Sequence, residues 1–296
     1  MIIINSHTNE PYFNIATEEY IFHKFAEDIL YLYVNSDSVV CGKHQNTMAE
    51  VDYLFAIKNN IPIIRRISGG GTVFHDLGNL NYCFINTEKE RATVDFVKPT
   101  KPIIEVLNKM GIEAKLYGKS DIRVGELKIS GNAQHIWKNK RMHHGTLLID
   151  TDLKKLSSSI TKDDENFTSK AVKSNRANTI NIKELNPELT ISKIRQEIIE
   201  YVFNEYSDVR IYELNSQDIA EIEKLVETKY KKWEWNFAYS PKYKQKIELN
   251  EGYLILEIKE GIVVNIEQNT LNQSFNKALI GKRNTEIYQV IDNYYR

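Results

Sequence analysis

The chain of 296 residues contains only two cysteines, Cys41 and Cys83, each inside an apolar run. A disulfide framework is therefore excluded, and two buried free thiols are expected. No apolar stretch approaches the ~20 residues that a membrane-spanning helix requires. The opening MIIINSHTNEPYF has neither a basic n-region nor an apolar h-region, so it does not read as a secretory signal. A formal net charge of −1 excludes a whole-molecule electrostatic surface for nucleic acid or acidic membrane, while leaving room for local basic patches. The expected setting is a reducing, cytoplasmic one. Gly-x-Ser-x-Gly is absent, no Ser-His-Asp order is persuasive, and the seven histidines form no closed zinc set at the usual spacing.

What is present suffices for a full core, with 42% hydrophobic residues. Strands and helices interleave without strict βαβ alternation, which favours α+β. IIIN opens as a strand, and residues 10–27 read as a helix with Pro11 in its first turn. ILYLYVN and SVVCG read as strands paired around Asn35, Ser36 and Asp37. After a short helix over EVDYLFAIKNN come the strands IPIIRRIS, TVFHD and NLNYCFIN. A helix begins after the prolines of VDFVKPTKP and stops at Gly111. Strands and tight turns follow to Asp150, with hairpin turns at Val124-Gly125-Glu126 and Lys138-Asn139-Lys140. TDLKKLSSSI is a short helix, and residues 161–179 read as a long surface loop. Two helices then follow, an amphipathic one carrying Ile191, Ile194, Ile198 and Val202 and a second ending in KKWEW. YSPKYKQK reads as a linker, and the tail as a hairpin around Glu260-Gly261 followed by helical segments. The domain expectation is 1–245 and 246–296.

The most informative stretch is RRISGGGTVFHDLGN, residues 65–79. Three glycines allow positive φ and close approach of a ligand to the backbone. Successive N–H groups in such a turn can form an anion nest, and an arginine beside it adds a bidentate donor. Neighbouring strand residues point to opposite faces, so one of Arg65 and Arg66 is expected to face the pocket and the other the far surface. The run is not G-x-G-x-x-G, and YGKS at 117–120 fails as a P-loop because Glu113 stands where glycine is needed. In LKISGNAQHIWKNKRMHHGTLLID, Lys128 on a strand needs an anionic partner if it faces inward. The two histidines of HHGT are expected in a hydrogen-bond network.

Taken in order, RRISGGGTVFHDLGN, YGKSD, LKISGNA, HHGTLL, KAVKSNRANTINI and WEWNF resemble the lipoate–protein ligase A family of the biotin/lipoate ligase superfamily. The resemblance spans the chain to about residue 245. It implies a mixed-sheet catalytic domain and a small C-terminal α+β accessory domain. It implies two steps: lipoate and ATP form lipoyl-AMP, and a lysine of an acceptor then takes the lipoyl group as an amide. By motif position, Arg66 and the Gly70, Gly71, Thr72, Val73 and Phe74 segment hold nucleotide, with Asn79 and Asp121 as further nucleotide or metal contacts. Lys128 is the catalytic cation between the lipoyl carbonyl and the α-phosphate. Ser68, His75, Ser130, Ala133, His144, Gly145 and Lys170 are candidates for the substrate pocket. ATP and Mg²⁺ are the implied cofactors, with Asp121 as a metal candidate. The implied partners are lipoic acid and lipoyl domains of 2-oxoacid dehydrogenase complexes or the glycine-cleavage H protein; nucleic acid and membrane are not. The family's GRND form stands here as GKSD, and Ala171 replaces the glycine usual after the family's lysine. A thioester-forming octanoyl or lipoyl transferase would need a cysteine beyond Lys128, and none exists. A biotin ligase would show glycine–arginine alternation, which is missing. A user of preformed lipoyl-AMP, or a non-catalytic lipoate-binding module, are the remaining alternatives.

Overall fold

The computed structural model describes residues 1–160, 165–175, 177–249, 252–269 and 274–295. In chain order these form β1 (Ile2–Asn5), α1 (Pro11–Lys24), β2 (Ile29–Tyr33), β3 (Ser38–Cys41), α2 (Thr47–Glu50), α3 (Tyr53–Lys58), β4 (Ile63–Arg65), β5 (Val73–His75) and β6 (Asn79–Thr87). Then come α4 (Val97–Lys109), β7 (Lys115–Tyr117), β8 (Asp121–Val124), β9 (Leu127–Trp137), β10 (Lys140–Leu148), α5 (Leu153–Ser159), β11 (Phe167–Ser169), α6 (Ile182–Leu185), α7 (Ile191–Glu205), β12 (Arg210–Ile211) and α8 (Ser216–Leu225). Two π-helical segments, Val226–Tyr230 and Glu234–Ala238, lead to β13 (Tyr243–Leu249), β14 (Gly252–Lys259), β15 (Ile262–Asn269), α9 (Ser274–Leu279) and α10 (Ile287–Tyr295). The architecture is α+β. No helix among the described residues is long and apolar enough to cross a membrane.

An eight-stranded mixed sheet, ordered β12-β1-β2-β6-β10-β9-β8-β7, is the frame. Because strand side chains alternate, ILYLY of β2 is buried on both faces. Leu30 and Leu32 join Leu80, Tyr82 and Phe84 of β6 against Ile103 and Leu107 of α4 and Ile194 and Ile198 of α7. Ile29, Tyr31 and Tyr33 join Cys83 and Ile85 against Ile15 and Phe22 of α1 and Ile222 of α8. Local signals start the helices where expected: Pro11 opens α1, Asp152 caps α5 and Thr190 caps α7, each polar cap contributing about 1 kcal/mol.

Four expectations are corrected. Strands β2 and β3 do not pair: β2 lies between β1 and β6, while β3 forms a separate three-stranded sheet with β4 and β5. The turn at 35–37 thus carries the chain between sheets, and both apolar strands find partners far along the chain. Helix α4 starts at Val97, ahead of both prolines: Pro99 falls in its first turn, where N–H groups have no intrahelical partner, while Pro102 lies inside the helix and removes one hydrogen bond of its ladder. The helix after α8 passes into the two π segments. The linker shrinks to four residues, Tyr239 to Lys242, because β13 begins at Tyr243.

Residue 245 lies inside β13 of a four-stranded antiparallel sheet, β11-β13-β14-β15. The edge strand β11 comes from the 161–179 stretch read as loop, pairing Phe167 with Gln245 and Ser169 with Tyr243. Residues 161–164 and 176 of that stretch lie outside the described residues. Both predicted hairpin turns form, with Gly125 and Lys138 at positive φ, and so does the one at Glu260-Gly261.

Candidate active site

The register of the large sheet builds the floor of a cavity. Tyr33 pairs with Asn81, Asn81 with Thr146, and Asp121 with Gly131. One pleat over, Cys83 pairs with His144 and His144 with Ala133. Paired residues share a face, so Tyr33, Asn81, Thr146, His144, Gly131 and Ala133 look the same way. Val40, His75 and the glycine loop between β4 and β5 roof them over, and Ile15 of α1 closes the inner end. The volume of this partly open cavity is about 210 Å³. A second cavity of about 580 Å³ adjoins it, walled by Val73 and Phe74 of β5, Leu148 of β10, and Leu153 and Leu156 of α5. Thr72, Val73, Lys128, Gly131, Thr146 and Ser174 line both.

Arg66 is the keystone of the glycine loop. It is buried, and its guanidinium donates to Gly69 O at 2.6 Å, Gly71 O at 2.7 Å, Val40 O at 3.0 Å and Ser68 Oγ at 2.9 Å. Burial pulls its pKa down to about 10, so it stays charged near neutrality. Arg66 thus fixes the loop while lining the smaller cavity. Gly70 sits at φ 83°, and a Cβ on Gly71 would meet Ser174 Oγ at 2.9 Å. These glycines are required by conformation and close approach, respectively.

Arg65 corrects a further expectation. It does not reach the far surface but is fully buried, with seven hydrogen bonds. Its partners are the carbonyls of Gly42, Lys43, Gln45, Trp235 and Asn236 and the hydroxyls of Thr47 and Ser240. It ties the loop ahead of α2 to the second π segment.

Lys128 finds the anionic partner that its position demands. Its Nζ lies 2.8 Å from Asp121 Oδ1, while Asp121 Oδ2 accepts from Arg123 at 2.9 Å. The Arg123 guanidinium in turn lies over the Tyr117 ring at 4.1 Å. The main chain of Lys128 is fixed from the other side by bonds to Asn178 and Ile180. A lysine held at both ends, at the junction of two cavities, can neutralise negative charge developing there.

Beneath the glycine loop runs a buried relay. Ser68 Oγ is 2.6 Å from His144 Nε2, and His144 Nδ1 is 2.7 Å from Glu18 Oε2. Glu18 Oε1 accepts from Tyr33 OH at 3.0 Å. The histidine of HHGT is therefore in the expected network. Although the order Ser-His-Glu resembles an activated serine, Arg66 donates into the Ser68 oxygen, which is fully buried; the relay supports the loop.

Of the sequence candidates, Arg66, Gly70, Gly71, Thr72, Val73, His75, Asp121, Lys128, Ala133, His144 and Gly145 line the smaller cavity, and Phe74 lines the larger. Ser130 does not: it shares the opposite face with Tyr82, and its Oγ accepts from Asn132 at 3.2 Å. Asn79 is buried one pleat beyond the floor and donates to Asn81 at 2.8 Å. Lys170 is exposed on the flanking strap, which presents Val172, Lys173, Ser174 and Asn175 to the cavity instead. Ser174 Oγ accepts from the Thr72 N–H at 2.9 Å and from Gln45 at 3.0 Å, and donates to Glu50. Sequence reasoning missed Glu18, although an acid on the apolar stripe Ile15–Glu18–Phe22 marks it. Ser174 carried no such signal.

Among the described residues no group of three or more His, Cys, Asp and Glu side chains could hold a metal. Both Asp121 oxygens already face cations, so this carboxylate suits shared contact with a metal brought by a ligand better than a resident ion.

The family described as lipoyl protein ligase A/B catalytic domain matches residues 10–203. Lipoate–protein ligase 1 of Staphylococcus aureus is 38% identical over 266 residues, covering 88% of this chain and 81% of that protein. The P. falciparum structure of LipL1 in complex with lipoate superposes at a TM-score of 0.68 with 25% identity, covering 98% of this chain and 94% of that one. A lipoate–protein ligase A bound with ATP superposes at 0.66 with 25% identity, covering 79% of this chain and 97% of that one.

Proposed function

Since the chain belongs to the lipoyl protein ligase A/B family, we propose that it is an ATP-dependent lipoate–protein ligase whose reaction centre is Lys128. The observation that carries this reading is the placement of Lys128 on the shared wall of two cavities, with Asp121 fixing its ammonium. The smaller cavity, closed at its inner end by Ile15, Tyr33 and Val40, takes the lipoyl chain. The larger one, along Val73 and Phe74, takes the nucleoside of ATP. The lipoate carboxylate then meets the α-phosphate beside Lys128 Nζ. There the lysine offsets charge on both groups as the carboxylate oxygen attacks phosphorus and pyrophosphate leaves. In the second half-reaction the same ammonium faces the carbonyl oxygen while an acceptor lysine attacks carbon and AMP leaves.

Arg66, Gly70 and Gly71 shape the loop around the acyl phosphate, and the N–H of Thr72 faces it. Mg²⁺ would accompany ATP and offset the charge of its phosphates, and Asp121, which lines the smaller cavity, is the carboxylate that could share it. The acceptor is a lipoyl domain of a 2-oxoacid dehydrogenase complex or the glycine-cleavage H protein. Thioester chemistry is disfavoured by the two thiols, since Cys41 and Cys83 are buried and burial raises both pKa values.

The test is lipoate-dependent release of pyrophosphate from Mg-ATP without acceptor, on wild type and Lys128→Ala. Release by the wild type alone supports the assignment. A folded wild type that releases none, yet transfers from synthetic lipoyl-AMP to a lipoyl domain, makes the chain a user of preformed adenylate.

A further inference from the structure

The wall of the smaller cavity carries a hydrogen-bond donor without a partner. His75 is 3% exposed and lines the cavity with Ile15, Tyr33 and Val40. Its Nε2 is buried and makes no hydrogen bond. Which ring nitrogen bears the proton follows from a chain of amides oriented by the backbone. Asn14 Nδ2 faces two main-chain carbonyls, Thr8 O at 3.0 Å and Val34 O at 3.3 Å, and a carbonyl can only accept. The same NH₂ therefore donates to Asn35 Oδ1 at 2.8 Å. That turns the NH₂ of Asn35 to His75 Nδ1, 3.0 Å away. An amide nitrogen can only donate, so Nδ1 accepts and bears no proton. Burial, with Arg66 and His144 nearby, holds the ring's pKa down to about 3 and keeps it singly protonated. The proton is on Nε2.

No polar group among the described residues accepts from this nitrogen; Tyr33 OH donates to Glu18, Asn81 Oδ1 accepts from Asn79, and Ser68 is shared by Arg66 and His144. Buried donors are rarely left unmet, and an unmet one in the wall of a cavity marks a place where a ligand brings the acceptor. With the carboxylate at Lys128, an acyl chain running inward offers only methylene groups until the dithiolane ring. The ring sulfurs are the sole acceptors beyond the carboxylate, weak ones of thioether character. We propose that His75 Nε2–H donates to a dithiolane sulfur and makes the site favour lipoate over octanoate, a chain of equal length without sulfur. The proposal rests on reading the cavity as the acyl site. A site built around a donor penalises an analogue with no acceptor, because the donor is desolvated and left empty.

The experiment is calorimetric titration of lipoate and of octanoate, without ATP or acceptor, into wild type, His75→Phe and His75→Gln. Melting curves confirm that each variant is folded. The expected wild-type preference for lipoate in Kd is about tenfold. In His75→Phe the ratio falls towards one, and in His75→Gln, whose amide keeps a donor, it recovers in part. A ratio that survives in His75→Phe, with both ligands weakened alike or neither weakened, overturns the proposal. Because no nucleotide is present, a failure of ATP-dependent activation leaves this measurement readable. Failure of both acids to bind the wild type would instead remove the acyl-site reading.

Discussion

Lys128 Nζ and Asp121 Oδ1 stand 2.8 Å apart on adjacent strands, and the second oxygen of the same carboxylate is claimed by Arg123. Asp121 is therefore a clamp as well as a counter-charge. Lys128→Ala is expected to lower adenylation by at least about 10²–10³, the usual loss for a charge-stabilising donor, with little change in unfolding free energy. Asp121→Asn keeps the shape but frees the ammonium, and a smaller loss of about tenfold in kcat is expected. Pyrophosphate release under saturating ATP and lipoate measures both. Equal losses in the two variants would make Asp121 a direct participant.

The strap across the glycine loop yields a second prediction. Ser174 Oγ takes the Thr72 N–H, a donor that a phosphate at the loop would compete for. Removing the hydroxyl in Ser174→Ala frees that donor. A net hydrogen bond of about 1 kcal/mol then returns to the nucleotide, and KM for ATP is expected to fall about fivefold. Initial rates against ATP concentration test this. A rise in KM would show that Ser174 helps to hold nucleotide.

Much of this site was legible in the chain, for reasons that separate the successes from the misses. The glycine loop and Lys128 could be read because bare backbone next to cations is the local chemistry that an anion site requires. The facing of Ser130 was not readable, since a period of two puts it on the same face as Lys128, and a register shift in the β8–β9 pairing is what separates them. The pairing of β2 and β3 was not, because two apolar strands joined by a turn look like a hairpin whichever sheets they enter. Nor was β11, a three-residue edge strand in a polar stretch whose partner lies more than 70 residues later. The second π segment is tied to Arg65 through the carbonyls of Trp235 and Asn236, a contact that no local pattern announces.

That contact gives a stability prediction. Arg65→Met leaves five carbonyls and two hydroxyls without their buried donor. A buried acceptor left without its donor costs about 1–3 kcal/mol, so a total loss above about 3 kcal/mol is expected. Arg65→Lys is expected to recover only part of that, since an ammonium cannot reproduce the planar fork. Urea unfolding at neutral pH measures both variants. A cost under about 1 kcal/mol for Arg65→Met would mean that the carbonyls find other donors.

Acidification supplies the last prediction. His75 and His143 are buried on the two faces of the sheet, and burial holds each pKa down to about 3, with neighbouring cations adding to the effect. In the unfolded chain both return to about 6.5. Between about pH 6.5 and 3 the unfolded state thus binds more protons than the native state. The stability that depends on neutral rings is complete above about 6.5 and is lost as the pH falls. Each ring contributes a slope approaching 1.4 kcal/mol per pH unit, so the pair accounts for about 4 kcal/mol lost between pH 7 and 5. Native carboxylates with lowered pKa, such as Asp218 at about 2, act only below the ordinary carboxylate range; within the window His135, also lowered to about 4 by burial, adds to the loss, and Asp76, raised by burial, opposes it. Urea midpoints at pH 7, 6 and 5 should fall progressively, and a flat profile would require both rings to take up protons in the folded protein over this range.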